Sequence, residues 1–319
     1  MNPKGSGIRW IFLLFFTPVA LWLLLLLILP HFELLRMSFL KGEAGAGMGV
    51  TWDNYLGFFH EPIYWTTFVR TALYSVVVTL IVLTVSLPIA FYTTKIVGVK
   101  LQGFLLVLLL LPFWVSELIR VYGWMIILRE SGVLSSFMLS LGLWKEPVEL
   151  LYNDVVMIMG LVYTTLLFMI VPVIGVLESL DDSLIEAAYD LGANKITIWR
   201  KIIIPYAMPG IMSGSIVVFM IVLGSYLTPK LMGGKNSLWF TEQIYNQFIT
   251  YFNWNQGSAF GFLLLLLSSG IIWVTLKLTR QKLSDVLKLY DPCLVPASTG
   301  GASAPTSFSI SSSYSRRFW

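Results

Sequence analysis

Six stretches of this 319-residue chain are each long and apolar enough to cross a lipid bilayer, and this restricts the fold more than any other feature. They are residues 10–29, 69–94, 102–128, 153–178, 206–229 and 259–279. About 20 such residues span the hydrocarbon as a helix. Lipid offers no water to backbone N–H and C=O groups, so each segment must satisfy them within itself and be helical. The composition agrees, with 57% hydrophobic and 12% charged residues and a mean hydropathy of +0.79; a soluble domain carries roughly 25% charge. An all-α integral membrane protein with six transmembrane helices is expected. Pro18, Pro88, Pro112 and Pro172 lie inside the spans and predict kinks, because each removes one backbone hydrogen bond.

The charges orient the chain. If the spans alternate, Lys4, Arg9, Lys95, Lys100, Lys195, Arg200, Lys201, Lys277, Arg280, Lys282 and Lys288 share one side. The other side has fewer bases, among them Lys230 and Lys235, and they are offset by acids including Glu43 and Glu242. The excess of positive charge places the first side, and with it both termini, in the cytoplasm. The net charge of +4 is therefore read as topology and not as a nucleic-acid surface. The first span lacks a small-residue cleavage site and reads as a retained anchor. Connections 30–68, 129–152 and 230–258, on the opposite side, mix aromatic and polar residues, which predicts short interfacial helices that suit an extracytoplasmic partner.

Three parts follow from this pattern: 1–65, the cytoplasmic N-terminus, first span and outer loop; 66–280, a core of five spans with a cytoplasmic loop at 179–205; and 281–319, a cytoplasmic tail. From about Leu289 onward the tail is rich in Ser, Gly and Ala, a disordered composition. The lone Cys293 and the two histidines, His31 and His60, lie outside the spans, and no G-x-S-x-G string occurs. No catalytic residue, metal site or cofactor site is expected.

The segment "SLIEAAYDLGANKITIWRKIIIP", residues 183–205, breaks the apolar pattern with charge and glycine. Ser183 and Glu186 have the spacing of a capping box, with Asp181 and Asp182 adding negative charge at the helix start. Gly192 can close that helix in the left-handed conformation, and Asn194 can cap a second one, which Pro205 is expected to stop. Leu184, Ala187, Ala188 and Leu191 share a narrow apolar face. Spacing alone allows two readings: a plug for a partner's groove, or an amphipathic pair lying on the membrane.

The string Glu186-Ala187-Ala188, three residues, Gly192, nine residues, Ile202-Ile203-Ile204-Pro205 resembles the EAA signature of permease subunits of ATP-binding cassette importers, EAA-x3-G-x9-I-x-L-P. Ile204 alone departs from it. The resemblance extends over about residues 66–280 and implies the type I importer permease fold. In that family the loop forms coupling helices seated in a groove of the ATPase subunit, which gives Glu186, Ala187, Ala188, Gly192, Ile202 and Pro205 an ATPase-coupling role. It also implies a second, related permease, two ATPase subunits, an extracytoplasmic solute-binding protein and a bacterial cytoplasmic (inner) membrane. ATP and Mg would be used by the ATPase, since this chain has no G-x-x-x-x-G-K-[ST] string; Gly233-Gly234-Lys235-Asn236-Ser237 lacks its spacing.

Within that family, residues 110–128, 160–172 and 224–234 resemble the spermidine/putrescine branch, which implies a polyamine substrate. Relatives that move thiamine, ferric iron, opines or phosphonates share the P-x-L-x-G-G ending, so these substrates stay as alternatives. A self-contained secondary carrier would show repeated halves and a midplane ion site, and neither is evident. Glu117 and Arg120 stand at i and i+3 in the third span. Ionisable groups in a membrane cost about 2.5–3.5 kcal/mol each, so they face a cavity or pair with each other. In the first case Glu117 holds a cationic amine, with Trp114 and Tyr122 offering ring faces; in the second the pair neutralises itself. Tyr163, Thr164, Thr165 and Tyr226 are further polar groups for a translocation path, or they bond to neighbouring helices. Two departures from the polyamine branch oppose each other: Glu117 replaces an uncharged polar residue, and Lys230 stands where an acid is usual.

Overall fold

The computed structural model describes residues 4–41, 49–234 and 237–279. The expected disordered tail, 281–319, and Glu43, Lys235, Asn236, Arg280, Lys282, Lys288 and Cys293 lie outside these residues.

Helices dominate, as lipid requires. α1 (Lys4–Leu23) passes through one wide π turn (Leu24–Ile28) into α2 (Leu29–Ser38). The first apolar span is therefore longer than expected and extends over Leu14–Ser38. A two-residue antiparallel pairing, β1 (Leu40–Lys41) with β2 (Gly49–Val50), precedes α3 (Asp53–His60). α4 (Pro62–Phe91) ends in a π turn (Tyr92–Ile96). Next come α5 (Val99–Leu110), α6 (Glu117–Leu128), α7 (Val133–Ser140) and α8 (Asp154–Glu178). The chain continues with α9 (Asp182–Asp190), α10 (Lys195–Ile198), α11 (Ile204–Gly224), α12 (Phe240–Tyr245) and α13 (Trp254–Thr279).

Among the described residues five helical stretches are long and apolar enough to cross a membrane, and a bent pair makes a sixth if it is counted as one broken span. That pair corrects the expectation for 102–128. A single 3₁₀ turn (Leu111–Trp114) follows α5, Val115 is extended, and the stretch Glu117–Ser140 leaves at 91°. Pro112 supplies no N–H to the turn, and β-branched Val115 favours the extended backbone that follows. By contrast the helices run on through Pro18, Pro88 and Pro172, and also through Pro209.

The contacts define two units among the described residues: 4–41 and 49–73 with 238–271, and 74–234 and 237 with 272–279. The first has an aromatic core. Phe58 meets Phe68, Phe240 and Phe260 edge-on, with centroids 5.3, 5.9 and 5.9 Å away, the arrangement that ring quadrupoles favour. Thr71 Oγ1 accepts from the Phe240 N–H at 2.8 Å, and buried Gln247 donates to the Tyr64 hydroxyl at 3.1 Å. The connections 30–68, 129–152 and 230–258 contain the short helices α3, α7 and α12.

The second unit is organised by α8 against α11. Small residues let the two backbones approach, as they do between helices in membranes. A Cβ at Gly210 would lie 2.6 Å from the Pro172 carbonyl oxygen, and one at Gly214 would lie 2.7 Å from Met169 Sδ. Gly210→Leu should therefore destabilise the fold by about 1–3 kcal/mol through overpacking. Gly175→Ala, where a Cβ meets nothing within 4 Å, should be near neutral. Thermal unfolding in detergent checks this; equal midpoints for the two variants would contradict it.

Candidate coupling elbow and translocation residues

Between α8 and α11 the chain makes an elbow. Its first arm, α9, starts at Asp181, whose carboxylate accepts from the Ser183 N–H at 2.9 Å. The expected Ser183–Glu186 capping box is not formed: Ser183 lies inside the helix. Starting two residues earlier turns Ile185 into the core while Leu184 and Glu186 stay exposed. The Asp181 carboxyl is held below the usual carboxylate range, first by the Ser183 backbone N–H and then by the Ser183 side chain, with the charge of Lys95 adding to both.

Gly192 ends α9 with φ +78°. The Ala193 N–H bonds back to Ala188 O at 3.0 Å and the Gly192 N–H to Tyr189 O at 2.8 Å, the paired closure in which glycine takes the left-handed position. Asn194 caps the second arm, accepting from the Thr197 N–H at 2.8 Å, as the sequence predicts. Pro205 does not stop that arm. α10 enters a π turn (Trp199–Ile203) and runs straight into α11, so Lys195–Gly224 is one 30-residue stretch. The wide turn accommodates the pyrrolidine ring and its missing N–H, which a regular helix would not.

The face predicted to be apolar is open. Leu184, Ala187, Leu191 (88% exposed) and Ile196 stand outward with Glu186, and Ala188 is half-buried. Ile198 and Ile203 are buried, and Ile202 is half-buried. Polar contacts tie the elbow to the spans. Gln102 donates to Glu178 Oε1 at 3.0 Å, and the Tyr206 hydroxyl donates to Ser179 O at 2.9 Å. Lys95 pairs with Asp182 at 2.9 Å and donates to the Leu180 carbonyl. Sequence reasoning read Lys95 as topology alone, because no local pattern links it to partners some 85 residues onward.

The translocation candidates are divided by the structure. Glu117 opens α6, and its Oε1 accepts from the hydroxyl of fully buried Thr228 at 3.0 Å. Among the described residues no ion pair joins it to Arg120, whose buried Nε has no hydrogen-bond partner. The self-neutralised pair is thus not formed. Glu117 shares the packed side of α6 with buried Val121 and Leu128 and with Trp124. Trp124 meets Tyr163 of α8 edge-on at 5.6 Å. The segment carrying half-buried Tyr226 and Thr228 is seated on α8 at Gly160, where a Cβ would collide with Thr228 and Met232. Trp114 (89% exposed) and Tyr122 stand apart from this cluster, outward-facing. Thr164 and Thr165 both donate to Leu161 O within their own helix, at 3.1 and 2.7 Å. Thr228 was missed, although it lies within 224–234, one of the stretches that carry the family resemblance; a threonine there gives no sign of a partner 111 residues away.

Residues 62–278 match the family described as "Binding-protein-dependent transport system inner membrane component". The chain is 35% identical over 270 residues to the spermidine/putrescine transport system permease protein PotB of Salmonella typhimurium, covering 83% of this chain and 93% of that protein. It is 36% identical over 240 residues to PotB of Escherichia coli, covering 75% and 86%. Its fold matches a chain in the crystal structure of a bacterial alginate ABC transporter in complex with alginate pentasaccharide-bound periplasmic protein. The TM-score is 0.73 at 17% identity, over 87% of this chain and 96% of that one.

The Asp181 cap sets a pH dependence. A carboxyl whose folded value is depressed contributes stability above its unfolded value, and loses it as pH falls through the folded value. Amide protection in 184–188 should hold from neutral pH through the ordinary carboxylate range and fall below it. Asp181→Ala should show lower protection already at neutral pH and no acid step; hydrogen exchange measures both, and an unchanged acid step would remove the cap from the account.

Proposed function

Because the chain belongs to the family of binding-protein-dependent transport system inner membrane components, we propose that this multi-pass importer permease forms half of a translocation pathway for a polyamine such as spermidine or putrescine. ATP and Mg are used by two separate ATPase subunits, the other half of the pathway is a second, related permease, and an extracytoplasmic binding protein delivers the solute. The observation that carries the coupling role is the elbow. α9 leaves Glu186, Ala187, Leu184 and Leu191 outward, and Gly192 holds the two arms at a fixed angle. An exposed apolar face beside charge fits a partner's groove better than a free surface. Ile202 and Pro205 carry the second arm into α11, so force received at α9 enters a transmembrane helix directly. The basic residues beside this elbow support a cytoplasmic location for it and for both termini.

The polyamine assignment is supported by the PotB relatives and by the Glu117 carboxylate at the head of α6, which attracts a cationic amine. Tyr163 and Tyr226 supply ring faces for it, whereas Trp114 and Tyr122 face outward. One observation favours a second reading, an acid-bearing solute such as an opine or phosphonate: the Arg120 Nε is buried without a partner among the described residues.

Gly192→Trp and Glu186→Lys should each abolish uptake and stop the ATPases from co-purifying, while the chain still inserts in the membrane. Normal transport by both variants would reduce the elbow to a surface helix. Glu117→Gln keeps an acceptor for Thr228 and removes the charge, so spermidine uptake by the complete transporter should fall at least about tenfold, the loss expected when one charged hydrogen bond is removed. Unchanged uptake would leave Glu117 with a structural role alone.

A further inference from the structure

α4 ends against both arms of the elbow. Its last turn, Tyr92–Ile96, is wide, and Lys95 within that turn is 7% exposed. The Lys95 ammonium lies 2.9 Å from Asp182 Oδ1, in the first turn of α9, and it donates to the carbonyl of Leu180, just past the end of α8. Phe91, four residues earlier, packs its ring on Trp199 with centroids 5.0 Å apart, in the turn that leads α10 into α11. One helix end therefore touches the entry to α9 and the exit from α10, on either side of Gly192.

The chemistry of the contact explains why a cation can be buried there. An unpaired ammonium is costly to bury. Here it meets a carboxylate and a carbonyl that has left the α8 ladder, the place where a helix C-terminus favours positive charge. Asp182 is well exposed, so the ion pair adds little to stability by itself; what it fixes is the direction in which α9 departs. Further along, α4 carries Tyr74, whose hydroxyl donates to Asp154 Oδ2 at 2.7 Å at the start of α8. Tyr74 and Lys95 are separated by about 31 Å of helix at the standard rise. A single element thus holds α8 at both ends, next to the elbow at one of them.

We infer that Lys95, together with Phe91, is a positioning residue of the coupling machinery, which makes α4 a second receiver of α9's movement alongside α11. This rests on the reading of α9 as the ATPase-docking helix. Neither side chain belongs to the outward face of α9, so neither is needed to hold the ATPases. Their loss interrupts transmission and leaves recruitment in place.

The test uses the complete transporter in vesicles, with its binding protein purified carrying its native ligand. With Lys95→Met the ATPases should co-purify as with the unmodified chain, while stimulation of ATP hydrolysis by the loaded binding protein falls about fivefold or more, the lower end of coupling between linked sites. Asp182→Ala, at an exposed position that folding tolerates, should lower stimulation in the same direction. The double variant should lose no more than Lys95→Met alone, as residues acting through one contact do. Full stimulation with Asp182→Ala, or with Lys95→Met where that variant inserts, would overturn the inference. Failure of the unmodified chain to retain the ATPases at all would instead overturn the reading of α9, and this inference with it.

Discussion

A backbone amide in hydrocarbon has no water to turn to, and this one constraint decides nearly everything in the chain. It makes the spans helical, and it makes each interruption of a helix expensive enough to need a reason. The interruptions among the described residues are few in kind: a 3₁₀ turn with an extended step between α5 and α6, wide turns at Leu24–Ile28, Tyr92–Ile96, Trp199–Ile203, Pro229–Gly233 and Asn246–Thr250, and the glycine turn at Gly192. Apart from the all-apolar turn at Leu24–Ile28, several of them coincide with the chain's polar business. Glu117 opens the helix after the first break, Lys95 sits in one wide turn, Trp199 starts another, and Thr228 directly precedes a third. Wide turns inside helices often mark functional positions for this reason.

The elbow shows how such interruptions combine. Asp181 and Asn194 satisfy the starts of its two arms, and Gly192 sets the angle between them. Burial of Ile185, Ile198 and Ile203 roots it, which leaves the remaining apolar side chains of α9 outward. Because α10 does not stop at Pro205, the second arm and the span are one body. Close α8–α11 contact through Gly210 and Gly214 then carries any displacement into the tightest part of the fold, and packed cores of that density move between discrete arrangements more readily than they deform.

Much of this was legible in the sequence, and the failures are instructive. Apolar length gave the spans, apart from the break between α5 and α6, and local capping residues gave the elbow, the left-handed Gly192 and the Asn194 cap, because each depends on residues within a few positions of one another. Long-range contacts decided what was missed. The helix start moved from Ser183 to Asp181 where Ile185 could be buried. Glu117 found Thr228, 111 residues onward, and not Arg120 in its own helix. Pro205 reads as a stop in one dimension, and a wide turn, which no residue type announces, lets the helix pass. Lys95 looked like one more positive-inside charge until its distant partners came into view.

The central claim is that force enters this permease at α9 from ATPase subunits. A photo-crosslinking probe on a single cysteine at α9 tests it most directly, with Ala187→Cys and Cys293→Ser introduced in the complete transporter. Adduct formation with an ATPase subunit, varying in yield between nucleotide-free and vanadate-trapped states, is the predicted result. A transporter that hydrolyses ATP at the normal rate while the probe captures lipid alone would contradict the account.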